Sequence, residues 1–101
     1  MKIIDAHLHF VPENPYFQEI AVRAKHKNTE EDLRAVYQKY GIVGGVVMGN
    51  RGVDPVAHSY PDFLKYCVGL DRDFLLSQDK KKSLDQVEAN LKREDCVGIK
   101  L

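Results

Sequence analysis

Tyr40-Gly41-Ile42-Val43-Gly44-Gly45-Val46-Val47-Met48 is the stretch that decides how the chain is read. From Ile42 to Met48 every residue is apolar or glycine and most are β-branched, the composition of a strand buried on both faces. Just upstream, Leu33, Val36, Tyr37 and Tyr40 recur at helical spacing. Thr29 can cap free N–H groups, and Glu30, Glu31 and Asp32 sit where the helix end is positive. Gly41 then stops the helix, so residues 29 to 48 read as a helix feeding directly into a buried strand.

Working outward from that joint, the same alternation continues in both directions. Toward the amino terminus, Lys2-Ile3-Ile4-Asp5-Ala6-His7 is a short β-branched run, a first strand near 2–7. Pro12 and Pro15 follow, and the weakly amphipathic residues up to about His26 suit a loop or a short helix. Toward the carboxyl terminus, residues 49 to 62 form a connection with Gly49, Gly52, Pro55 and Pro61, and one helical turn is expected around Asp62 to Leu64. A third strand is expected near 65–70. Ser83 with Gln86 three residues on is a capping box for a helix whose apolar face is Leu84, Val87 and Leu91. A fourth strand is expected near 96–101. Strands separated by helical patterns imply right-handed βαβ units and a parallel sheet, either doubly wound or rolled into a barrel.

Composition excludes several classes of function. The 101 residues are 44% hydrophobic and 30% charged, ordinary for a globular domain. Fifteen basic residues balance fifteen acidic ones, so no net field gathers nucleic acid or an anionic membrane surface, and a small-molecule substrate is the expected partner. Lys80-Lys81-Lys82 is short and flanked by acids, which reads as a solvated loop before a helix. The longest apolar run falls far short of the ~20 residues that span a bilayer, and the first residues carry no secretory signal, so a cytoplasmic location is expected. Cys67 and Cys96 lie in separate apolar runs and are expected to be reduced packing residues.

Chemistry concentrates in Ile3-Ile4-Asp5-Ala6-His7-Leu8-His9-Phe10. Strict alternation along a strand puts Asp5, His7 and His9 on one face and Ile4, Ala6 and Leu8 on the other. Two imidazoles at i and i+2 can reach one divalent metal ion, and the carboxyl end of a parallel strand is where α/β proteins carry their sites. A bare H-x-H is common by chance, and its incidental or structural reading stands beside this one.

In that context the stretch resembles the first-strand signature of the amidohydrolase superfamily, nearest the branch similar to aminocarboxymuconate-semialdehyde decarboxylase. Tyr40-Gly41-Ile42-Val43-Gly44-Gly45-Val46-Val47, Tyr60-Pro61-Asp62-Phe63, Val68-Gly69-Leu70-Asp71 and Val97-Gly98-Ile99-Lys100-Leu101 extend the resemblance along the chain. The resemblance implies the N-terminal half of a (β/α)8 TIM barrel, which needs ~250 residues when complete. On this reading residues 1–101 are a single partial domain and the chain is a truncated piece, inactive alone. It further implies His7 and His9 as ligands of one or two divalent ions, zinc first among them. The activity implied is attack of a metal-activated water on a carbonyl-type C–N or C–O bond. The alternatives are nonoxidative decarboxylation on the same scaffold, metal nuclease or phosphoesterase relatives with a similar first strand, and a non-catalytic α/β module. The family's other ligands, histidines and an aspartate from later strands, have no counterparts in these residues.

Lys100 is the catalytic candidate of the fourth strand. Alternation puts Cys96, Gly98 and Lys100 on one face, with Val97, Ile99 and Leu101 expected to pack against helices and Lys100 facing inward, toward substrate or a metal-bound anion. A surface lysine on a frayed end and, by the resemblance to binuclear relatives, a carboxylated metal-bridging lysine stand beside this reading. Asn50, Arg51, Asp71 and Arg72 follow strands and suit site-facing loops or turns, and residues 71 to 82 are long enough for a lid. His26 and His58 are expected to be exposed. A four-stranded sheet with open edges also makes a homo-oligomer expected.

Overall fold

A computed structural model describes residues 1–49, 51–70 and 75–101. Asn50, Asp71 and Arg72, along with the start of the lid candidate, lie outside the described residues. The described elements run β1 (Ile3–Leu8), α1 (Pro15–Arg23), α2 (Glu30–Tyr40), β2 (Ile42–Met48), a 3-10 turn (Pro55–Ala57), β3 (Leu64–Gly69), α3 (Lys80–Leu91) and β4 (Cys96–Lys100). All strands are parallel, in the order β1-β2-β3-β4. The α/β alternation expected from the sequence is therefore present, as one four-stranded sheet.

The caps explain where helices begin and end. Asn14 accepts from the Tyr16 N–H and Pro15 opens α1, a start the weak periodicity of this stretch left open. Thr29 accepts from the Asp32 N–H at 3.2 Å, and Gly41 at φ 72° ends α2 in the left-handed region that glycine tolerates best. The third helix departs from expectation. Asp79 caps it by accepting from the Lys82 N–H at 2.9 Å, so the three lysines form its first turn instead of a loop. Its buried face is Ser83, Val87 and Asn90, whereas Leu84 and Leu91 are exposed. The 83/86 pair mimics a start signal because it lies one turn inside the true one. The helical turn expected at 62–64 is also displaced: Leu64 already belongs to β3, and the turn sits at Pro55–Ala57, capped by Asp54.

One face of the sheet carries the core. Val47, Leu64, Tyr66, Val68 and Cys96 pack with Tyr37 of α2 and Val87 of α3. Ile4, Val97 and Ile99 remain exposed. Both cysteines are free; Cys96 is buried, and burial pushes the half-buried Cys67 thiol above its ordinary range, which keeps it protonated. Between β2 and β3 the chain returns through the connection 49–63, which packs its 3-10 turn against α3.

Gly49 and Gly69 close the carboxyl ends of β2 and β3. The Gly49 N–H donates to the Cys67 carbonyl at 2.9 Å, and a Cβ on Gly69 would collide with the Gly49 carbonyl oxygen. Backbone cannot swing aside as a side chain does, so Gly69→Ala is expected to lower stability by about 1–3 kcal/mol, read as a lower urea midpoint. A midpoint equal to wild type would show that these strand ends separate freely.

Candidate metal centre

His7 and His9 stand at the carboxyl end of β1, both exposed. Their Nε2 atoms are 3.4 Å apart, with the ring planes crossed at 76°. Two nitrogens each 2.0–2.1 Å from a tetrahedral ion are separated by about 3.3 Å, so the metal-binding atoms already have the spacing of two zinc ligands. The pair therefore fits a divalent ion in atom type and in separation. Among the described residues no set of three His, Cys, Asp or Glu side chains converges on one point, so the pair supplies two donors.

Asp5 does not join them. Its register partner is Gly45, while Leu8 pairs with Val47, so three steps along β1 match two along β2. This bulge lies beyond Asp5 and breaks the alternation toward the histidines, while Asp5, paired with Gly45, meets α2, where its Oδ2 accepts from the Tyr37 hydroxyl at 2.9 Å. Oδ1 accepts from the His7 backbone N–H at 3.2 Å, so Asp5 braces the bulge that carries the histidine. Burial, with the Asp5 bond adding to it, holds the Tyr37 hydroxyl above its ordinary range and keeps it a donor.

Beside His9 lies an open cavity of about 540 Å³, walled by Asp5, Leu8 and Phe10 on one side and by Lys25, His26 and Leu33 on the other. That volume is in the range of small-molecule sites. His26 is exposed, as expected.

The fourth strand needs a correction. Tyr66 pairs with Cys96 but Cys67 pairs with Gly98, so a second register shift separates Cys96 from the residues after it. Cys96 joins the core, while Gly98 and Lys100 register with Cys67 and Gly69. Val97, Ile99 and Leu101 do not pack against helices as expected; they are exposed. Lys100 is half-buried at the end of β4 and, with Gly69, Leu70 and Leu101, lines a cavity of about 200 Å³. Two strands separate β1 from β4, so three inter-strand spacings, about 14 Å along the sheet, lie between Lys100 and the histidine pair.

His58, expected on the surface, is 1% exposed. It stacks on Tyr66 at 4.6 Å, with Nε2 2.8 Å from the Gly52 carbonyl and Nδ1 2.9 Å from the Tyr60 hydroxyl. A carbonyl only accepts, so Nε2 carries the proton and Nδ1 accepts from Tyr60. Nothing in the local pattern around His58 marks it as buried, because what covers it is Tyr66 of β3, with the Gly52 carbonyl and the Tyr60 hydroxyl brought to it by the fold of the connection.

Comparison with protein family models, characterised proteins and solved structures finds no match for this chain. No helix among the described residues is long and apolar enough to cross a membrane.

Proposed function

We propose that this chain supplies the first half of a (β/α)8 metal-dependent hydrolase of the amidohydrolase type, acting on carbonyl-type C–N or C–O bonds of a small molecule. The observation that carries the reading is the 3.4 Å separation of the His7 and His9 Nε2 atoms at the carboxyl end of β1. The sequential order of four parallel strands, with the core on one face, supports the barrel half, since a doubly wound sheet reverses its order about a switch point and is covered on both faces. A bound divalent ion, zinc being well suited to imidazole, supplies Lewis acidity and brings the pKa of water down to about 7.

The chain's own residues have separate tasks in this scheme. His7 and His9 would hold the ion, their Nε2 atoms being the pair at 3.4 Å. Asp5 and Tyr37 brace the bulge that aims His7, and the cavity beside His9 accepts the substrate body. Lys100 offers a cation for an anionic group of the substrate. The remaining metal ligands and the general base lie, on this reading, outside residues 1–101, and the enzyme works in the cytoplasm. The non-catalytic reading draws on the absence of a third converging ligand among the described residues.

Metal content by mass spectrometry separates the two. A protein that also carries the later strands with the remaining ligands, supplied with zinc and desalted, is expected to retain metal, and its His7→Ala/His9→Ala variant is expected to lose nearly all of it. Because bound imidazoles must be unprotonated, retention should also fall as the pH is lowered. Equal metal in both proteins, or none after reconstitution with zinc and manganese in a protein that also carries the later strands, would sink the hydrolase reading; none in residues 1–101 alone is what two donors without the rest of the set predict.

A further inference from the structure

His9 lies one residue beyond the end of β1, so the sheet ladder does not extend to it. The chain there is held by the burial of the Phe10 side chain in the core, by Asn28 bonding the Val11 carbonyl, and by a side chain from the connection after β2. Arg51, on the connection after β2, donates to the Phe10 carbonyl at 3.2 Å and pairs with Glu13 at 2.7 Å. Its other terminal nitrogen donates to the Ala57 carbonyl at 3.3 Å, and its guanidinium lies over the Tyr60 ring at 4.9 Å. Phe10 directly follows His9, and Ala57 directly precedes the buried His58, whose ring bonds Tyr60. One rigid fork thus ties the residue after His9 to the best-packed part of the connection.

We propose that Arg51 is a positioning residue for the His7/His9 pair: it clamps the Phe10 carbonyl and so keeps the His9 ring against His7. The inference deepens the metal-site reading above and rests on it for its use, but the geometric claim concerns the metal-free protein as well. A guanidinium suits the task because its planar donors reach two carbonyls and a carboxylate at once while its face stacks on an aromatic ring. A lysine ammonium reaches fewer of these together. Partners that orient metal ligands from behind typically set metal affinity by 10–100-fold, and Arg51 stands in that relation to His9 through the backbone.

The test reads ring geometry and zinc affinity in the same samples. In metal-free protein, NMR is expected to show contact between the His7 and His9 rings, and zinc titration is expected to shift both sets of ring signals together. Arg51→Met should abolish the ring contact and weaken zinc binding at least about tenfold, with Arg51→Lys intermediate. Glu13→Gln removes the ion pair but leaves both carbonyl clamps, so it should preserve contact and affinity. Thermal melts run alongside identify any variant that is unfolded; if Arg51→Met is, Arg51→Lys decides. A folded Arg51 variant that keeps the ring contact, with zinc affinity within twofold of wild type, overturns the proposal. If wild type binds no zinc with these two donors alone, the ring contact in the metal-free protein decides the role of Arg51 by itself.

Discussion

Replacing Asn90 with leucine is expected to remove about 2–4 kcal/mol of folding stability, because the leucine strands two buried partners at once, the Tyr66 hydroxyl and the Val53 carbonyl. Asn90 is 0% exposed on the inner face of α3. Its Oδ1 accepts from the Tyr66 hydroxyl at 2.6 Å, and its Nδ2 donates to the Val53 carbonyl and the Gln86 carbonyl, both at 2.9 Å. The reverse amide orientation would set an oxygen against two carbonyls, so the donors and acceptors have a single consistent assignment. One side chain therefore fastens α3, β3 and the connection after β2. Each buried polar group left without a partner costs about 1–3 kcal/mol, against a total of roughly 5–15 kcal/mol for a domain of this size. Urea unfolding of the variant checks the loss. Adding Tyr66→Phe to Asn90→Leu should recover about 1 kcal/mol or more, since the orphaned hydroxyl is then gone. A single variant within 1 kcal/mol of wild type would show that the network contributes little.

The protein should also lose stability as the pH falls below about 6.5, the ordinary histidine value, through His58. Burial lowers the pKa of this imidazole, and the guanidinium groups of Arg51 and Arg93 push it the same way; the Gly52 carbonyl and Asp54 oppose them without reversing the direction. With the folded value below the unfolded one, the unfolded chain binds more protons between the two. The contribution is therefore complete above about pH 6.5 and is lost as the pH drops toward the folded value. Geometry explains why protonation is resisted: Nδ1 already accepts from Tyr60, the ring is stacked on Tyr66, and the extra charge would sit near two cations. Urea midpoints at pH 8, 6.5 and 5 for wild type and His58→Gln measure the effect. The variant should be less stable at pH 8, by about 2–3 kcal/mol for the lost stacking and mispaired neighbours, and should show a shallower decline toward pH 5. Parallel declines in the two proteins would assign the acid sensitivity to other groups.

Both predictions concern residues whose roles the sequence conceals, and the reason is the same. Asn90 stands three residues after Val87 and seven after Ser83, a spacing that marks one helical face. A polar residue on such a face nonetheless signals burial only when its partners are known, and those come from β3 and the connection after β2. His58 is a histidine among prolines and glycines until Tyr60, Tyr66 and Gly52 close around it. Arg51 reads as a loop cation, and its reach to Phe10 spans a separation that no local pattern records.

The sequence by itself determined the order of the four strands and of the helices that precede β2 and β4, the α2–β2 joint at Gly41, the cap at Thr29 and the spacing of His7 and His9, because each follows from dihedral preference and side-chain period within a few residues. Only the tertiary structure decided which way individual side chains turn. The bulge after Asp5 and the register shift before Gly98 are set by how neighbouring strands align, and one extra residue in a strand reverses every face beyond it. The alternation that places Asp5 beside the histidines, and Cys96 beside Lys100, is valid for an isolated strand and fails in the sheet for that reason.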